Sequence, residues 1–190
     1  MNSKFLSAGV FAGLLSVCGA ASAQQGAVPP SPPEIKTVGD WQVRCFAVQN
    51  ANPCDVFQEM ADQNTRQRIL SISLAYAPSM DRHLLQITVP LEVSIPKGIT
   101  IQTDSFTSPV MKYRMCTREG CFVQLAPDNA MIESLVKSGA DAKLNIWADN
   151  GKSYALKFSL KGFAQAHDDM VAQAKAKAKP AKDSAPAKPN

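Results

Sequence analysis

The sequence predicts a mainly β fold: a β-sandwich-like domain of short antiparallel strands, with one inserted helix and a C-terminal helical segment. Three observations carry that prediction. Apolar residues alternate with polar ones in short runs, punctuated by Pro, Gly, Asn and Asp at the spacing of sandwiches and barrels. Asn150-Gly151 joins two such runs and is the strongest two-residue hairpin signal in the chain. Two cysteine pairs, Cys45 with Cys54 and Cys116 with Cys121, each flank a turn.

In chain order, Pro29-Pro30-Ser31-Pro32-Pro33 marks residues 24–37 as an extended spacer, because proline cannot donate to a ladder and favours the polyproline conformation. The β domain, residues 38–163, opens at Gly39-Asp40-Trp41, where Trp41, Val43 and Cys45 alternate with Gln42 and Arg44 as in a half-buried strand. Asn50 to Pro53 turns the chain, and Cys54 begins the return through Val56 and Met60. Leu70, Ile72 and Leu74, then Leu85, Ile87 and Val89, keep the alternation on either side of turn residues Ala77 to Asp81, and Pro90 ends the second strand. Pro96-Lys97-Gly98 turns into Ile99 to Thr103. Met111, Tyr113 and Met115, then Phe122-Val123, predict a hairpin laced by Cys116 and Cys121, with Gly120 at its left-handed position.

Asp128 caps a helix with Met131, Ile132, Leu135 and Val136 at helical spacing, Lys137 in its last turn and Gly139 ending it. Leu144 and Ile146 lead into Asn150-Gly151, for which a type I′ turn with positive φ at both positions is expected, and Tyr154, Leu156, Phe158 and Leu160 follow. Residues 164–190 are an Ala-rich helical stretch to about Lys177 that dissolves into a Lys/Ala/Pro tail, too poor in apolar surface to fold.

Residues 1–23 read as a signal peptide: Lys4, an apolar run from Phe5 to Cys18, then Ala21-Ser22-Ala23, with cleavage after Ala23. Leu15-Ser16-Val17-Cys18 offers a rival lipoprotein box, but Val17 stands where a small residue is wanted. No stretch approaches 18 consecutive apolar residues, so no transmembrane span is expected. The four cysteines that remain favour disulfides in an exported chain. Three pairings exist; proximity favours Cys45–Cys54 and Cys116–Cys121. No metal site is expected from these cysteines, which lack a Cys-x-x-Cys knuckle and a neighbouring histidine.

Charge is unevenly distributed. Lys4 lies in the leader and Lys175, Lys177, Lys179, Lys182 and Lys188 follow Met170, which leaves 14 basic and 15 acidic residues between Gln24 and Met170. The globular part is therefore close to neutral, and nothing in it predicts a nucleic-acid partner. The five lysines are either a solubilising end or an electrostatic attachment to an anionic envelope component, weakened by salt.

Catalytic patterns are sparse. The two histidines, His83 and His167, are far apart in sequence and read as ordinary side chains, and no Gly-x-Ser-x-Gly, phosphate-cradling glycine loop or calcium loop occurs. No catalytic residue and no cofactor is expected. Cys116 and Cys121 fall on a hairpin, unlike the helix-N-terminal thiols of thiol–disulfide enzymes. Trp147 alternates out of phase with Leu144 and Ile146, so a solvent-facing ring at this position is a candidate partner contact.

Gly39-Asp40-Trp41-x3-Cys45, Cys54, Pro90-Leu91 with Ile95-Pro96-x-Gly98-Ile99, Cys116-x3-Gly120-Cys121 and Leu135-x3-Gly139, in this order, resemble the invasion-associated locus B family of exported bacterial proteins. The resemblance spans roughly Val38 to Phe163. It implies a periplasmic or outer-envelope protein, tied in some members to invasion of host cells and hence virulence, with no established activity or cofactor. It carries over only the cysteines and turn glycines as framework; the long Lys/Ala/Pro tail departs from it. The expected function is non-catalytic interaction with an unidentified envelope or host-surface protein, or an envelope-stress role. A periplasmic carrier of a small ligand or lipid, and a thiol–disulfide enzyme, are the alternatives.

Overall fold

The computed structural model of the chain describes residues 31–47, 50–139 and 141–178. The leader, the proline run up to residue 30 and Lys179, Lys182 and Lys188 lie outside these residues. A seven-stranded antiparallel sheet is built from β1 (Glu34–Val38), β2 (Trp41–Cys45), β3 (Cys54–Ala61), β4 (Arg68–Ala77), β5 (Arg82–Val89), β7 (Met115–Thr117) and β8 (Gly120–Leu125), in the order β1-β2-β3-β4-β5-β8-β7. A three-stranded sheet holds β6 (Thr100–Gln102), β9 (Asp141–Trp147) and β10 (Ser153–Ser159), in the order β10-β9-β6. The helices are α1 (Asn129–Lys137) and α2 (Phe163–Ala178). The fold is mainly β and sandwich-like, as the alternation predicts.

The core forms because alternation places one apolar row after another on the same face. Val43 pairs with Val56, Val56 with Leu74 and Leu74 with Leu85; Ile72 pairs with Ile87 and Ile87 with Val123. These side chains are buried and merge with Ile99, Ile101, Leu144, Ile146 and Phe158 around the small sheet into one cluster. Burying each such side chain contributes roughly 1.5–3 kcal/mol.

Gly39-Asp40-Trp41 is explained by a latch. Gly39 (φ +60) and Gly162 (φ +83) are so close to the opposing backbone that a Cβ would lie 2.3 Å from Lys161 O at Gly39 and 2.5 Å from Val38 O at Gly162. Asp40 N donates to Lys161 O at 3.0 Å, Trp41 Nε1 to Ser159 O at 3.0 Å and Ser159 Oγ to the Asp40 carboxylate at 2.6 Å. Gln58 closes the set, donating to Asp40 O and accepting from Ser159 N. The end of β10 and the start of α2 are thereby fixed on the β1–β2 turn. Trp41 packs edge-on against Phe163, with ring centroids 4.8 Å apart.

Several local expectations need correction. The spacer stops earlier than residue 37, because Glu34 to Val38 pair with Cys45 to Trp41 as an edge strand. Sequence periodicity missed β1 because Ile35 is 57% exposed and only Val38 is buried. The helix expected after residue 163 forms, as α2, and is in addition packed: Phe163, Ala166, Met170 and Ala174 are buried, and α2 lies across β1 to β4. Asn150-Gly151 does not form the expected type I′ turn, since only Gly151 has positive φ. Instead Gly151 N donates to Ala148 O and Ala148 N to Lys152 O. Helix α1 starts as expected, with Asp128 accepting from Met131 N at 2.8 Å, but ends at an extended Ser138 rather than at a left-handed Gly139. The strand expected from Met111 begins only at Met115; Met111 bridges Ile99.

Candidate functional site at the helix–sheet seam

One cross-strand row at the end of the large sheet runs Cys45, Cys54, Tyr76, His83 through β2, β3, β4 and β5. Helix α2 lies over it. Gln173 Oε1 is 3.3 Å from Cys45 Sγ, a polar contact without a hydrogen since the sulfur is in a disulfide. Lys175 Nζ is 5.4 Å from the Tyr76 ring centroid, and His167 Nε2 is 3.0 Å from His83 Nε2. Two histidines 84 residues apart in sequence thus meet across the seam.

Position explains their surroundings. His83 opens β5 opposite Tyr76, with ring centroids 5.2 Å apart, and stacks on His167 at 5.0 Å. The Tyr76 hydroxyl donates to Asp81, which holds a left-handed position (φ 47) in the β4–β5 turn. This bond to the carboxylate pushes the Tyr76 phenol up. Burial, and then the neighbouring charge of His167, lower the His83 pKa to about 4, with Asp81 pulling the other way. His167 Nδ1 is 3.1 Å from Asp168 Oδ1. The tautomer that satisfies both contacts has His167 donating from Nδ1 to Asp168 and accepting at Nε2 from His83 Nε2–H.

The other sequence candidates are dispersed. The structure joins Cys45 to Cys54 and Cys116 to Cys121, each pair directly opposite in register. Cys45 and Cys54 are buried, whereas Cys116 is exposed on β7 beside a buried Cys121. Trp147 is half-buried on β9 rather than free in solvent, and its carbonyl accepts from Ser94 N at 2.7 Å. Lys175 and Lys177 lie in the last turn of α2, as the helical stretch to about Lys177 predicts; Lys177 Nζ is 3.4 Å from Glu34 Oε2. The histidine pair is the feature that sequence reasoning missed, because no local spacing signals a contact made by folding.

The family resemblance read from the sequence is borne out by what the chain is similar to. The profile of a family described as "Invasion associated locus B (IalB) protein" matches residues 41–171, well over half of the chain. Two Brucella abortus proteins, from strain 2308 and from biovar 1 strain 9-941, are named invasion protein B homologs. Each is 29% identical over 143 residues, covering 74% of this chain and 80% of the relative. The crystal structure of invasion associated protein B from Bartonella henselae superposes with a TM-score of 0.64 at 19% identity, covering 74% of this chain and 97% of that one. At that identity the likeness establishes the fold.

Proposed function

Since the chain belongs to the invasion associated locus B family, we propose that it is an exported periplasmic or outer-envelope protein that acts by binding rather than by catalysis, in host interaction or envelope stress. The observation that carries this reading is what the motif residues do. Gly39, Asp40 and Trp41 build the latch, Gly98 and Gly120 admit Met111 O and Val89 O where a Cβ would collide, and the four cysteines clamp neighbouring strands. These residues are occupied by scaffold contacts, which leaves recognition to the surface. Two disulfides in so small a domain suit an oxidising compartment.

Fractionation of the native bacterium, followed by capture from envelope extracts, tests the proposal. The expected result is an oxidised chain beginning at Gln24 in the periplasmic or outer-membrane fraction, retaining an envelope component. A reduced chain confined to the cytosol would overturn it. A carrier would have to bind outside the space between the sheets, which Ile87, Ile99, Ile101 and Leu144 fill. An open groove of about 550 Å³ on the large sheet is bordered by Arg82, Leu84, Gln86, Arg114 and Gln124. Native mass spectrometry of the protein from its own host would detect a retained small molecule there.

A further inference from the structure

We propose that His83 and His167 form a two-imidazole site for a divalent transition metal, copper(II) or nickel(II) in preference to zinc, that ties α2 to β5. The inference rests on the seam geometry and is independent of the function proposed above. Imidazole nitrogen suits these metals. With metal–nitrogen bonds of about 2.0–2.1 Å, two nitrogens 3.0 Å apart subtend about 90–97° at the metal, the cis angle of a tetragonal site. A tetrahedral zinc would require them to part to about 3.3 Å.

The surroundings are those of a metal ligand pair. Asp168 accepts from His167 Nδ1, the outer contact that orients a ligating imidazole and keeps its Nε2 unprotonated. On binding, the proton on His83 Nε2 moves to its Nδ1 and both Nε2 atoms bond to the metal; no electron is transferred. The His167 side chain is 14% exposed, so water reaches the site. Among the described residues no group of three or more His, Cys, Asp and Glu converges on a metal position, so water takes the remaining places. Asp81 and Asp168 offset the added charge, and Lys175 over Tyr76 opposes it.

The test uses the untagged, chelator-stripped, disulfide-intact mature chain, titrated calorimetrically with copper(II), nickel(II) and zinc(II) salts. Expected are one equivalent bound in the order copper, nickel, zinc, a raised Tm, and at least tenfold weaker binding in His83→Gln and in His167→Gln. The electron paramagnetic resonance spectrum of the wild-type copper complex should show coupling to two imidazole nitrogens, a readout that needs no variant to fold. Metal binding no tighter than that of the His83→Gln/His167→Gln double variant, or a spectrum without two imidazole nitrogens, would overturn the proposal and leave the pair as an N–H···N hydrogen bond.

Discussion

A Cβ added at Gly39 would meet backbone that cannot retreat, because the carbonyl of Lys161 already accepts from Asp40 N. Gly39→Ala is therefore expected to cost roughly 2 kcal/mol or more, read from urea denaturation, since a left-handed Ala and a backbone clash add. A Cβ added at Gly151 (φ +87) would meet nothing within 4 Å, so Gly151→Ala should cost only about 1–2 kcal/mol of backbone strain. Gly139→Ala, with open space and no positive φ, should be close to neutral. His83 supplies a pH test. Its folded pKa of about 4 lies below the ordinary 6.5, so between these values the unfolded chain binds more protons. Its contribution is complete above pH 6.5 and is lost as pH falls towards 4. The slope should be well below the ~1.4 kcal/mol per pH unit of one full proton, because the half-buried ring is partly screened. With chelator present, His83→Gln should flatten that part of the stability curve.

The elements differ in how openly their sequences announce them. Trp41, Val43 and Cys45 alternate buried with less buried neighbours, as do Leu70, Ile72 and Leu74, so β2 and β4 are readable from period alone. Helix α2 buries Phe163, Ala166, Met170 and Ala174, and two of those four are alanines, which hardly distinguish a packed face from a solvated one. Its docking was hidden for that reason. A chain ending at Ala178 should keep the wild-type Tm, whereas one ending at Met170 loses the Ala174 and Gln173 contacts and should unfold at lower temperature. The disulfides differ as well. Loop closure predicts roughly 2–3 kcal/mol for each, but limited reductant should open Cys116–Cys121 first, because Cys116 is exposed while Cys45 and Cys54 lie under α2. Mass mapping of alkylated thiols over time would record the order; early labelling of Cys45 would contradict the seam.

For the molecule as a whole, charge separation follows directly from the amino-acid order. The near-neutral stretch to Met170 contrasts with the five lysines beyond it, of which Lys175 and Lys177 lie on the helix and face Tyr76 and Glu34. If the lysines attach the chain to an anionic surface rather than only solubilise it, binding to anionic vesicles should fall with rising salt and weaken sharply in the chain ending at Ala178, which lacks Lys179, Lys182 and Lys188. Binding by that shortened chain equal to wild type would rule out tail attachment. What no sequence pattern could supply is the meeting of distant segments, such as Asp40 with Ser159 or His83 with His167, since each pair is set by the complete fold. Cys45–Cys54 ties the second strand from one rim of the large sheet to the third, and Cys116–Cys121 ties the last strand at the other rim to its inner neighbour. Unravelling by successive loss of border strands is blocked at one margin outright and at the other after a single strand, so amide deuteration should spread from β1 and β10 while β7 stays held to its neighbour.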